Sequence, residues 1–204
     1  YMMAHPGKKL NFMGYGFGQF KEWDYHEGLE FFLRDTYELH GKLSLYVNDL
    51  NHYYLSTPAM YEIEDSWDGF EWIAPDDADK NIVAFLRKDK AGNEVIVVAC
   101  FSGIDMPDYR LGVPSRGKYR VVFCSDDAKY GGDGKITKRV ITATKKLSHG
   151  KPYSIPLAMP KMSCLYLVKE PEAPKADKAS TAKKTPAKRA VKSTASATKT
   201  SKNK

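Results

Sequence analysis

Apolar residues along this chain change their spacing part-way. Leu43, Tyr46, Val47, Leu50, Tyr53 and Tyr54 fall at offsets 0, 3, 4, 7, 10 and 11, one stripe on the face of a helix. Thr57-Pro58 predicts the end of that helix, because a residue before proline is pushed out of helical conformation. From Phe70 onward short runs rich in β-branched and aromatic residues predict strands: FEWI (70–73), NIVAFLRK (81–88), EVIVVACF (94–101), KYRVVFCS (118–125), RVITAT (139–144), YSIPL (153–157) and MSCLYLV (162–168). Lys90-Ala91-Gly92-Asn93 predicts a hairpin turn between the second and third runs. Seven such strands predict an antiparallel β-sandwich, with Pro156 confining its strand to an edge or bulge.

Ahead of the helix the signals are shorter. Residues 28–35 predict a helical turn, and Leu10 to Met13 a short strand between Pro6-Gly7 and a glycine-rich loop. Tyr1 to His5, followed by Pro6-Gly7, reads as the last turn of a helix, so the chain resembles a fragment entered partway through. A lone first segment of this kind, residues 1–60, is expected to be less well stabilised than the β-rich part that follows.

Charge separates the body of the chain from its end. Of 32 Lys/Arg and 25 Asp/Glu, ten bases and two acids lie between Pro171 and Lys204, leaving a nearly neutral body of 22 bases and 23 acids. The residues from about 170 to 204 are mostly Ala, Lys, Thr, Ser and Pro, with no aromatic, and are expected to be disordered. The stretch KTPAKRAVK (184–192) resembles linker-histone tails, which implies non-specific contact with a polyanion; a solvated tail without a dedicated partner fits the same composition.

Cys100, Cys124 and Cys164 each sit in an apolar run, as buried structural thiols do, and no CxxC spacing suggests zinc. A reducing, cytoplasmic location is expected. No run of roughly 18 apolar residues marks a membrane span, and no signal peptide is recognisable. The five histidines are scattered, and Asp126, Asp127 and Asp133 lack the spacing of a calcium loop, so no metal is expected and the acids predict an exposed turn.

The stretch KKLNFMGYGFGQFKEW (8–23) raises the question of phosphate binding. Its glycines fall at Gly14-x-Gly16-x-Gly18, without the G-x-G-x-x-G spacing or the helix that a dinucleotide fingerprint needs. A flexible loop, or a loop at the catalytic rim of a (β/α)8 barrel, accounts for it better.

The stretch AHPGKKLNFMGYGFGQFKEWDYHEGLEFFLRD resembles the last barrel strand and following segment of the 1,4-alpha-glucan (glycogen) branching enzymes, in the alpha-amylase superfamily. The likeness continues through LYVNDLNHYYLSTPAMYE, GFEWI, YRLGVPSRGKYRVVFCSDDAKYGG and LAMPKMSCLYLV, about residues 1–168 in order. It implies an α+β fragment: the last βα unit of a (β/α)8 barrel (1–60), an all-β sandwich domain (61–169) and the basic tail (170–204).

It further implies a retaining double displacement on an α-1,4-glucan, with an Asp nucleophile, a Glu acid/base and a second Asp. Those carboxylates belong to earlier barrel strands, so no residue here inherits a catalytic role, and no cofactor is implied. Tyr15, Gln19, Glu22 and Trp23 become the candidate substrate-binding residues. Where the family has Asn-Glu-Phe-Gly-Gln, this chain has Tyr15-Gly16-Phe17-Gly18-Gln19 and lacks the rim carboxylate. Trp23 could stack on a glucose ring while Glu22 bonds hydroxyls; packing of Trp23 under the loop, with Glu22 paired to a neighbour, is the alternative. Trp67 and Trp72 are expected to fill the seam between barrel and β-domain. Two other functions stay open: a non-catalytic carbohydrate-binding domain, and a nucleic-acid tether acting through the tail.

Overall fold

The computed structural model describes residues 1–171, so the expectations for the basic tail lie outside the described residues. Two helices come first, α1 (Phe31–Thr36) and α2 (Glu38–Ser56). Eight strands follow: β1 (Phe70–Asp77), β2 (Ile82–Lys88), β3 (Glu94–Cys100), β4 (Met106–Val113), β5 (Lys118–Cys124), β6 (Val140–Thr142), β7 (Tyr153–Met159) and β8 (Ser163–Lys169). All pairings are antiparallel, in a six-stranded sheet β1-β2-β3-β8-β5-β6 and a two-stranded sheet β4-β7. The β-rich part is therefore an all-β antiparallel domain, as its texture predicts.

The larger sheet is covered on both faces, which is why β2, β3 and β8 read as nearly unbroken apolar runs. Alternate residues divide between two cores. Ile82, Ala84, Leu86, Ile96, Val98, Leu165 and Leu167 meet Tyr109, Leu111, Val113, Ile155 and Leu157 of the small sheet. Phe85, Val95, Val97, Ala99 and Tyr166 point the other way and meet Ala4, Leu50 and Met60. The helical stripe does what its spacing predicts: Leu50 is buried, and Tyr46 and Tyr53 pack on Phe123 at ring separations of 5.6 and 6.0 Å.

β4 has no counterpart among the expected strands. Pro107, Asp108, Arg110 and Gly112 break up its apolar pattern, and only Tyr109, Leu111 and Val113 alternate inward to pair with β7. Pro156 lies opposite Arg110 in this two-stranded sheet, an edge position that its missing N–H suits. The hairpin at 89–93 closes as expected, with Gly92 at φ +84° and the Asp89 carboxylate accepting from the Asn93 N–H at 2.7 Å. Thr57 ends α2 in extended conformation before Pro58.

One expected element is corrected. Leu10 to Met13 forms no strand, and its residues are exposed. Among the described residues no other strand lies alongside to take its backbone hydrogen bonds, and an unpaired extended segment has nothing to hold it.

Candidate functional site

The glycine-rich stretch is a series of tight turns. The N–H of Tyr15 donates to Phe12 O, those of Phe17 and Gln19 to Gly14 O, and that of Gly18 to Tyr15 O, at 3.0–3.3 Å. Amides turned onto the loop's own carbonyls are not free to cradle a phosphate. Gly14 (φ +77°) needs to be glycine, since a Cβ there would lie 2.5 Å from the Gln19 Cβ. Gly16 differs. A Cβ built on it meets nothing closer than 3.9 Å, so the loop has room for a side chain where the resembling family carries its acid.

Three contacts fasten the loop to the helices behind it. Phe17 is buried and its ring lies 5.3 Å from that of Phe31. The His40 Nδ1 on α2 is 2.7 Å from Phe17 O. Gln19 uses both ends of its amide within the chain, accepting from the Glu30 N–H at 3.0 Å and donating to Lys21 O at 3.0 Å. Gln19 thus holds the loop in shape.

The other candidates face outward. Tyr15 is exposed, and Trp23 is 54% exposed. Glu22 is exposed and makes no ion pair or side-chain hydrogen bond with the described residues, whereas its neighbour Lys21 pairs with Glu27. That pairing raises the Lys21 pKa. The alternative in which Trp23 packs beneath the loop is therefore corrected: its contacts are edge-on with Phe12 (6.4 Å) and tilted with Tyr25 (6.0 Å), both themselves exposed. Phe12, Trp23 and Tyr25 form a ridge of rings that sequence reasoning credited to Trp23 alone. The Trp23-x-Tyr25 spacing, two aromatic residues with one residue between them beside the loop, was the available signal.

Groups set aside from the site serve structure. Asp126 accepts from the N–H groups of Asp133 (3.0 Å) and Lys135 (2.9 Å), and Asp127 pairs with Arg139, so these acids organise a turn. Among the described residues no cluster of His, Cys, Asp or Glu is placed to hold a metal ion. The three cysteines are free and buried, and burial pushes the Cys124 thiol up to about 12, far from thiolate reactivity. No helix among the described residues is long and apolar enough to cross a membrane.

Residues 72–170 match the family described as the alpha amylase C-terminal all-beta domain. The chain is 41% identical over 167 residues to the 1,4-alpha-glucan branching enzyme GlgB of Halothermothrix orenii, covering 81% of this chain and 26% of that protein. It is 43% identical over 171 residues to the GlgB of Aquifex aeolicus, covering 83% and 27%. A third relative, from Bacillus caldolyticus, is 41% identical over 161 residues, covering 78% and 24%. Over about four-fifths of its length the chain is similar to 1,4-alpha-glucan branching enzymes. It spans about a quarter of the length of these relatives.

Trp67 and Trp72, both expected at the seam between barrel and β-domain, differ in exposure within this chain. Trp72 is half-buried against His5, Phe70 and Phe85, but Trp67 is 77% exposed. A proline-free turn at Ser66–Gly69 carries Trp67 away from the core, so its ring reaches only Phe70, at 6.0 Å.

Proposed function

We propose that the chain is the C-terminal part of a 1,4-alpha-glucan branching enzyme, working in a polypeptide that cleaves an α-1,4-glucan and transfers the released segment to a 6-hydroxyl. The observation that carries this reading is similarity of about 40% over four-fifths of the chain, together with the match of residues 72–170 to the alpha amylase C-terminal all-beta domain.

In this reading residues 1–60 complete a (β/α)8 barrel as its last βα unit, 61–169 are the C-terminal β-domain, and the reaction is a retaining double displacement. The chemistry belongs to carboxylates outside these 204 residues. This chain contributes a rim: Tyr15, Glu22 and Trp23 touch glucan, and Gln19 keeps their loop in register. An exposed indole offers an apolar face to the C–H surface of a glucose ring, and a free carboxylate beside it accepts from hydroxyls. The open space at Gly16 leaves the glucan one carboxylate contact fewer there.

The test uses amylose, following loss of iodine colour and the appearance of α-1,6 linkages. A polypeptide extended upstream to a full-length relative's size is expected to branch amylose, and the 204-residue chain alone to be inactive. Turnover by the short chain, or its absence in the extended one, would overturn the reading. Introducing Gly16→Glu into the extended form is expected to fold normally and to change KM for amylose.

A further inference from the structure

Helix α2 presents two stripes of side chains, and each meets a different part of the chain. His40, Leu43 and Val47, spaced i, i+3 and i+7, face the glycine-rich loop. Leu39, Tyr46, Leu50 and Tyr53 face the β-domain, about 100° away round the helix.

The loop-facing stripe holds three consecutive residues. The His40 Nδ1 lies 2.7 Å from Phe17 O, and the Leu43 Cδ2 lies 3.0 Å from where a Cβ on Gly18 would sit. The Val47 Cγ1 is 3.9 Å from the same point on Gly16. The other stripe is fixed to the sheet. Leu50 is buried, the Tyr46 ring lies 5.2 Å from that of Tyr130, and the Tyr53 ring lies 5.3 Å from that of Tyr166. This helix of 19 residues is therefore a strut between the β-domain and the loop.

Of the three loop-facing side chains only His40 fixes a direction. Leu43 and Val47 make apolar contacts, which allow sliding, whereas a hydrogen bond to a carbonyl sets both distance and angle. A carbonyl oxygen needs a donor, so Nδ1 carries the proton. Among the described residues no other group donates to Phe17 O, because the loop's amides turn onto Phe12 O, Gly14 O and Tyr15 O. The imidazole is itself confined, with the Phe20 ring edge-on at 5.1 Å and 87° and the Tyr37 ring at 6.1 Å.

We propose that His40 is a positioning residue for the glucan contact. Its bond to Phe17 O, backed by the β-domain through α2, holds the 14–23 loop in the geometry in which Tyr15 and Trp23 meet a glucan chain. The choice of glucan rests on the function proposed above. The β-domain then takes part in that function as a splint, acting through α2 and not on the sugar.

The test compares two variants. His40→Phe keeps a ring beside Phe20 and has no donor; His40→Asn places a side-chain N–H where Nδ1 stands. In the upstream-extended polypeptide, His40→Phe is expected to raise KM for amylose about three- to tenfold, the range one hydrogen bond supplies, with kcat within about twofold. His40→Asn should keep the parental KM. Added to Trp23→Ala, His40→Phe should raise KM little further, since a loop without its indole has little left to aim. A merely structural role would reduce the amount of active enzyme, and with it apparent kcat, leaving KM unchanged. In the 204-residue chain, trypsin should cut after Lys21 faster in His40→Phe than in the parent, and at the parental rate in His40→Asn.

Unchanged KM in His40→Phe, an equal rise in His40→Asn, a fully additive rise on Trp23→Ala, or parental cleavage after Lys21 in His40→Phe would each overturn the proposal. If the extended parent branches amylose and His40→Phe does so with the same KM, the inference is refuted and the function stands. If the extended parent does not branch amylose, the function is refuted and the glucan role of His40 with it, and cleavage after Lys21 still decides whether His40 holds the loop.

Discussion

The guanidinium of Arg87 donates to the carbonyl oxygen of Ala4 at 2.6 Å, joining residues 83 positions apart. Arg87 is wholly buried, and burial lowers its pKa, yet a guanidinium stays charged throughout the working range. Its fork meets three backbone carbonyls, Ala4, Ile63 and Gly69, in place of a carboxylate. One side chain on β2 therefore fixes both the turn that leads into the 14–23 loop and the loop that carries Trp67.

Replacing Arg87 by Met should destabilise the chain by roughly 2–4 kcal/mol, because carbonyls in a buried setting lose their donors. Urea unfolding measures this. Trypsin should also cut after Lys8 faster than in the parent, since the tie to Ala4 is gone; unchanged cleavage would mean the N-terminal turn is held by its apolar contacts alone.

Gly69→Ala tests the close approach at 2.2 Å between a new Cβ and Ile63 O. The neighbour is backbone and cannot rotate aside, so a loss of about 1–3 kcal/mol is expected. Gly16→Ala is the matched control, with nothing within 3.9 Å, and should change stability by no more than about 0.5 kcal/mol.

Helix α2 should be held by apolar burial more than by its ion pair. Asp49 meets Lys129 and Tyr130, each at 2.7 Å, and these bonds hold its carboxyl below the usual range. The pair is largely solvated, so Asp49→Ala should cost under about 1 kcal/mol. Leu50→Ala should cost about 2–4 kcal/mol through the cavity it leaves. Chemical denaturation of the two variants compares them directly.

His149 should make stability fall in mildly acidic solution. Its Nδ1 accepts the Gly112 N–H at 3.1 Å, and its Nε2 lies 3.5 Å from the Tyr109 hydroxyl. Burial lowers its pKa from 6.5, with Lys80 acting in the same direction and Asp77 and Asp76 opposing. The folded state thus disfavours protonation. The stabilisation is complete above the unfolded value near 6.5 and is lost as pH falls from there through the lower folded value. Urea midpoints between pH 7.5 and 5.5 should drop more in the parent than in His149→Asn, a residue that also tolerates the left-handed φ of +48°.

The strands were legible where both faces of a sheet are covered, because β2, β3 and β8 are apolar at nearly every position. β4 was not, since its polar residues face outward at an edge and its Pro107 and Gly112 read as turn signals. For the candidate site, the residue types were visible and their roles were not. Gln19 looks like Glu22 as a polar residue in the same loop, and only the positions of Glu30 N and Lys21 O distinguish a loop-holding amide from an exposed carboxylate.

By itself the sequence determined the helical stripe from Leu43 to Tyr54, seven of the eight strands and the likeness to branching enzymes, because periodicity and similarity are properties of residue order. Tertiary structure alone decided which face each strand residue meets. A register shift between Val121 and Phe123 turns Phe123 away from the core it would otherwise share with Tyr119 and Val121. It stacks instead on Tyr166 at 5.3 Å, beneath Tyr46 and Tyr53 of α2. A bulge of one residue reverses the alternation of a strand, and its position depends on the partner strand, which no local reading of β5 contains.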